Sequence, residues 1–127
     1  MEIKNMSEQI EIPKVNNQPI NVEALAMHTL ASEQFFFIKQ YIEEYEKTLD
    51  KDHEAAMLFT NFGQQVLMNV DSIACKNPVL LIFKGMVNGR PATLIQHVSQ
   101  LNFMLTTVEK RPNRAKMLIG FDMNDED

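Results

Sequence analysis

Apolar residues along this chain fall into two rhythms. Between Val22 and Leu49, the positions Leu30, Phe37, Ile38, Tyr41, Ile42, Tyr45 and Leu49 recur at steps of three and four, while Lys39, Gln40, Glu43, Glu44 and Lys47 fill the other side. That spacing predicts one long amphipathic N-terminal helix. Asn21 precedes it as a side-chain cap for the free amides of the first turn, with Glu23 near the positive end of the dipole. A shorter rhythm follows. Ala56 to Phe62 is a short apolar run, and Gln65 to Ile73 alternates Val66, Met68 and Val70 against Gln65, Asn69 and Asp71, the period of two of a half-exposed strand. Val79 to Met86 is apolar on both faces and reads as a central strand; Pro91 to Val98 returns beside it through Asn88-Gly89, two residues suited to the positive φ angles of a tight hairpin. Asn61-Phe62-Gly63 and Asn77-Pro78 mark the other turns.

After the returning strand, Leu101, Met104, Leu105 and Val108 resume helical spacing behind Ser99, a good capping residue. A second helix from about Gln100 to Glu109 is therefore expected, packed on the sheet. Arg111-Pro112-Asn113 breaks it, and Met117-Leu118-Ile119 either adds an edge strand or packs as a closing segment. The predicted fold class is α+β: a long N-terminal helix, an antiparallel β-meander of three or four strands, and a second, C-terminal helix. Residues 21–121 form a single domain on this reading. Residues 1–20 read as an arm, flexible or docked on a neighbouring subunit, and 122–127 as an acidic tail.

Composition narrows the class. The chain has 127 residues, 45% hydrophobic and 23% charged, enough for one packed core and too little for two. No apolar run has the roughly 18 residues a membrane span requires, no basic-then-apolar leader is predicted at the start, and the one cysteine, Cys75, forms no internal disulfide. A cytoplasmic setting is expected. The net charge of −5 disfavours a duplex nucleic acid or an anionic membrane as partner. One stretch departs from it: Lys110, Arg111, Arg114 and Lys116 stand together with no acid among them, a pattern suited to a compact anion.

Candidate chemistry gathers at the joint between the last predicted strand and the second predicted helix. His97 and Ser99 share a face of the strand, and a helix starting at Ser99 would add free amides. With Gln100 and a folded-back Arg111, Arg114 and Lys116, this would hold a phosphate or carboxylate. The simpler reading makes Ser99 a cap and His97 a sheet residue. As base and nucleophile the pair lacks an orienting acid and a Gly-x-Ser-x-Gly turn, so no catalytic role is assigned. Asp50, Asp52, His53 and Glu54 match no calcium or zinc pattern, and no metal is expected. Glycines at 63, 85, 89 and 120 build no phosphate-cradling loop, and no cofactor motif is present. Cys75 reads as a half-buried small residue.

Asn61-Phe62-Gly63, Asn77-Pro78, the block Gln96-His97-Val98-Ser99-Gln100 with Leu101 to Leu105, and Ile119-Gly120-Phe121 resemble a family of small uncharacterised bacterial and phage proteins, domain of unknown function 6173. The resemblance covers about half the chain, and Gln96 to Gln100 is its most specific part. Lys116-Met117-Leu118 departs from the basic residue and proline expected before Ile-Gly-Phe. The family implies no activity; it implies a setting in which small proteins act by binding.

Two functions follow as expectations. The first is a non-catalytic, homo-oligomeric binder, a sponge or sensor, of an anionic, nucleotide-like small molecule through His97, Ser99, Gln100, Arg111, Arg114 and Lys116. The second is a protein-interaction module that uses the aromatic run Phe35, Phe36, Phe37 and Ile38.

Overall fold

The computed structural model describes residues 30–60 and 63–123. In chain order these give α1 (Ala31–Glu46), β1 (His53–Phe59), β2 (Val66–Lys76), β3 (Leu80–Val87), β4 (Arg90–His97), a 3-10 turn (Val98–Gln100), β5 (Phe103–Glu109) and β6 (Gly120–Asp122). The sheet runs β4-β3-β2-β1-β5, with β6 joining β2. The five long strands pair antiparallel, and β6 lies parallel to β2. The hairpin at Asn88-Gly89 forms as its residues predict, with φ angles of 53° and 77°.

The described residues are mostly β with one helix, which overturns the expected α+β arrangement at its C-terminal end. Residues 103–109 are strand β5, paired with β1 over its whole length from Phe103↔Phe59 to Glu109↔His53. The helical spacing of Leu101, Met104, Leu105 and Val108 is coincidental. Phe103, Leu105 and Thr107 share one face and Met104, Thr106 and Val108 the other, and Phe, Thr, Thr and Val suit a pleated surface better than a helix. Both faces carry apolar residues, which hides the alternation. The long N-terminal helix is corrected too: α1 begins at Ala31, and the expected cap Asn21 lies outside the described residues.

The cap of α1 comes from a distant turn. Leu30 offers no side-chain bond, so Ala31 N–H donates to the Pro78 carbonyl at 2.8 Å and Ser32 N–H to Asn77 Oδ1 at 3.0 Å. Two of the free amides of the first turn are thereby satisfied by the β2–β3 connection. The apolar stripe of α1 is rotated from the predicted one. Phe35 and Ile42 are buried, Ile38 and Tyr45 half-buried, and Tyr41 is 73% exposed.

The sheet curls round an aromatic centre. Phe83 of β3 and Phe103 of β5 lie 6.1 Å apart between ring centroids, and Phe59 of β1 is 5.2 Å from the first and 5.8 Å from the second. Two strands separate β3 from β5, a distance of roughly 14 Å in a flat sheet. Only strong curvature brings those rings together. The bend sits at a register shift in β2 between Val70 and Ser72, as bulges commonly do. Gly85 of β3 faces it so closely that an added Cβ would meet the Asn69 carbonyl oxygen at 2.1 Å. Beyond the bend β1 no longer accompanies β2, and β6 pairs there instead through Ser72↔Gly120, Ile73↔Phe121 and Ala74↔Asp122.

Candidate functional site

The basic stretch predicted to meet an anion meets this protein's own carboxylates and carbonyls. Glu54 of β1 is only 2% exposed. Its Oε1 accepts from Arg111 Nε at 3.3 Å and Nη2 at 3.2 Å, and its Oε2 accepts from Met117 N–H at 2.8 Å. Arg111 Nη1 also reaches Asp71 at 3.5 Å. Lys116 Nζ donates to the Asp50 and Leu49 carbonyls at 2.8 and 3.4 Å, where a cation complements the groups just past a helix C-terminus. Lys110 Nζ donates to the carbonyls of Arg111 and Arg114, and Arg114 contacts the Met117 sulfur. Glu46 of α1, 8% exposed, accepts from Ile119 N–H at 2.8 Å; desolvation pushes its carboxyl above the usual range, and the Ile119 bond opposes that shift. Residues 110–119 are thus a closing segment, tied to β1 and α1 by buried or half-buried acids.

His97 and Ser99 do meet. Ser99 N–H donates to His97 Nδ1 at 3.1 Å and Ser99 Oγ lies 2.8 Å from the same nitrogen. The imidazole therefore caps the 3-10 turn that leads from β4 to β5. Arg111, Arg114 and Lys116 are bonded elsewhere and take no part in that cap. The aromatic run also divides: Phe35 is buried and Ile38 half-buried, while Phe36 and Phe37 are 52% and 43% exposed and pack edge to face on each other.

β4 and β5 are the two edges of the sheet, and residues 98–102 bridge them. At this bridge lies a cleft of about 470 Å³ lined by Leu94, Ile95, Gln96, Ser99, Gln100, Leu101 and Asn102, within the size range of small-molecule sites. The register Gly85↔Ala92, Phe83↔Leu94 and Leu81↔Gln96 puts Gln96 on the same face as Leu94, toward the core. Gln96 is 7% exposed, and its buried Oε1 has no hydrogen-bond partner among the described residues. Such an acceptor costs about 1–3 kcal/mol when left unpaired. The cleft joins Ser99 and Gln100, both expected from the sequence, to Gln96 and Asn102, which were not. One sequence signal could have found Gln96: in the alternation Ala92, Leu94, Gln96, an amide stands where a core-facing strand calls for an apolar side chain.

The remaining clusters are accounted for locally. Asp50 Oδ1 accepts from Asp52 N–H at 2.8 Å and lies 2.7 Å from His53 Nδ1. The His53 bond holds the Asp50 carboxyl below its ordinary range, and the same bond raises the His53 imidazole. Among the described residues no three His, Cys, Asp or Glu side chains are grouped to hold a metal, and no helix is long and apolar enough to cross a membrane. Cys75 is buried in the core, and burial pushes its thiol up.

Among the described residues, a curled, mostly antiparallel sheet closed by an acid-anchored segment, with one helix packed on it and a polar cleft at the connection between its edge strands, defines the class of protein. The chain belongs to a family of unknown function, DUF6173, whose family model matches residues 20–122. No curated protein and no solved structure matches it.

Proposed function

We propose that this protein binds a small molecule without transforming it, in the cleft formed by the end of β4 and the connection to β5. The observation that carries this reading is Gln96: a nearly buried amide on the wall of a cleft of ligand size, at a core-facing position, whose acceptor oxygen has no partner among the described residues. Buried polar groups are almost always paired. A group kept there against that cost is explained by a bound molecule that completes its hydrogen bonding. The Ser99–His97 contact is a local cap, with no carboxylate paired to His97 among the described residues, so it supports binding rather than nucleophilic chemistry. A ligand held only by the native state raises the melting temperature. Thermal denaturation against a panel of polar fragments, nucleosides and nucleotides is expected to give at least one compound that stabilises the wild type and not Gln96→Met. A panel with no stabilising member, or one whose effect survives in Gln96→Met, overturns the reading.

Phe36, Phe37 and Tyr41, all exposed on α1, favour a second role as a protein-interaction surface. Light scattering on the wild type and on Phe37→Ser/Tyr41→Ser tests its self-association form. A fall in mass supports it, and a monomer in both cases removes it.

A further inference from the structure

We infer that the ligand of the β4–β5 cleft, taken as the binding site proposed above, is an uncharged molecule with an amide-type edge, N–H beside C=O, as in a lactam or a pyrimidine base. Three carboxamides, Gln96, Gln100 and Asn102, and the Ser99 hydroxyl line the cleft together with Leu94, Ile95 and Leu101. A carboxamide offers one acceptor and one donor side by side, which an amide edge matches with two parallel hydrogen bonds. The decisive atom is Gln96 Oε1: it is sealed from solvent without a partner among the described residues, and once the side chain turns toward the cleft only a donor satisfies it.

The charged oxygens of phosphates and carboxylates accept only, and they would face that carbonyl oxygen with like partial charge. No Lys or Arg among the described residues lines the cleft. The three candidate cations are engaged elsewhere: Arg111 with Glu54 and Asp71, Arg114 with the Met117 sulfur, and Lys116 with the carbonyls of Leu49 and Asp50. An anion desolvated here would have no compensating charge. Leu94 and Leu101 supply apolar wall for the body of a ring, as small-molecule sites usually do around a few fixed polar groups.

The test uses the whole chain labelled with ¹⁵N and four probes: uracil, nicotinamide, 1,3-dimethyluracil, which keeps the shape of uracil but has no N–H, and inorganic phosphate. Binding is read from the side-chain amide signals of Gln96, Gln100 and Asn102. Uracil or nicotinamide is expected to shift them, with 1,3-dimethyluracil at least roughly tenfold weaker than uracil, about the worth of one hydrogen bond to a buried acceptor. Gln96→Met, close in shape and without polar atoms, is expected to remove that difference; Asn102→Ala, which leaves the core face of β4 intact, gives a second variant if Gln96→Met does not fold, and weaker uracil binding is its expected result. Equal binding of uracil and its dimethyl form overturns the donor requirement. Phosphate binding with silent amide probes overturns the ligand class and leaves the binding role standing. Silence of all four probes also overturns the class, whereas the binding role falls only if the wider thermal panel is silent as well.

Discussion

The two regions expected to form one anion site, residues 97–100 and residues 110–116, turn out to be opposite in character. In the closing segment the cations and two backbone amides have partners from the chain itself: Arg111 with Glu54 and Asp71, Met117 N–H with Glu54, Ile119 N–H with Glu46, Lys116 with two carbonyls. At the β4–β5 bridge a buried oxygen has no partner among the described residues. Formal charge pointed to the first region, yet charge that is already neutralised has little left to offer a ligand. An unpaired neutral atom in the second has more. The lesson is that a candidate site is sought by counting what is unsatisfied after folding, not what is charged before it.

The comparison breaks most sharply at Glu54. Glu54→Ala would leave the partly exposed Arg111 and the Met117 amide without their acceptor, and a loss of about 2–4 kcal/mol is expected in urea unfolding. A loss under about 1 kcal/mol would mean that the closing segment is not anchored as described. In the cleft the sign reverses. Gln96→Met removes an unpaired buried acceptor while roughly conserving volume, so a gain of about 1 kcal/mol is expected from the same measurement. A clear destabilisation would show that the amide is structurally satisfied and would remove the contrast between the two regions. Lys116→Met keeps an apolar stem but takes the charge from the Leu49 and Asp50 carbonyls, for an expected loss of about 1 kcal/mol.

The smallest effect is a pH dependence at the His53–Asp50 pair beside the closing segment. His53 has a raised folded pKa, so its contribution is complete below its ordinary value of 6.5 and is lost as pH rises through the raised one. Asp50 has a lowered folded pKa, so its contribution is complete above 3.8 and is lost as pH falls through the lowered one. The pair should therefore stabilise most between about pH 4 and 6.5. The melting temperature of the wild type minus that of His53→Asn, followed across pH, should be largest in that window and shrink with added salt, since both groups are exposed. A difference that is flat with pH would remove the pair from the account.

Much of the fold could be read from local pattern. The helix through Ile38, Ile42 and Tyr45, the strands on either side of Asn88-Gly89 and the hairpin itself follow from spacing and from residues that tolerate positive φ, and these are properties of short stretches. Of the residues lining the candidate cleft, Ser99 and Gln100 had been named for their place at the end of a strand, but the helix supposed to follow them is strand β5, and Gln96 was passed over beside the more conspicuous His97.

What local sequence decided about this protein is where the chain turns and which stretches repeat their apolar residues. What only the tertiary structure decided is the state of β5, the fate of the basic stretch and the isolation of Gln96. Leu101 to Val108 satisfies the spacing of a helix and the composition of a strand at once, and seven residues of pairing with β1 settle the choice. Arg111 reads as a free cation until the fold brings it to Glu54, distant in sequence and buried. Gln96 interrupts the alternation of Ala92 and Leu94 in the sequence, but only the register with Leu81 shows that this face is the inward one. Each of these depends on partners far away along the chain, and hydrogen bonds and ion pairs between distant residues leave no period in the sequence to read.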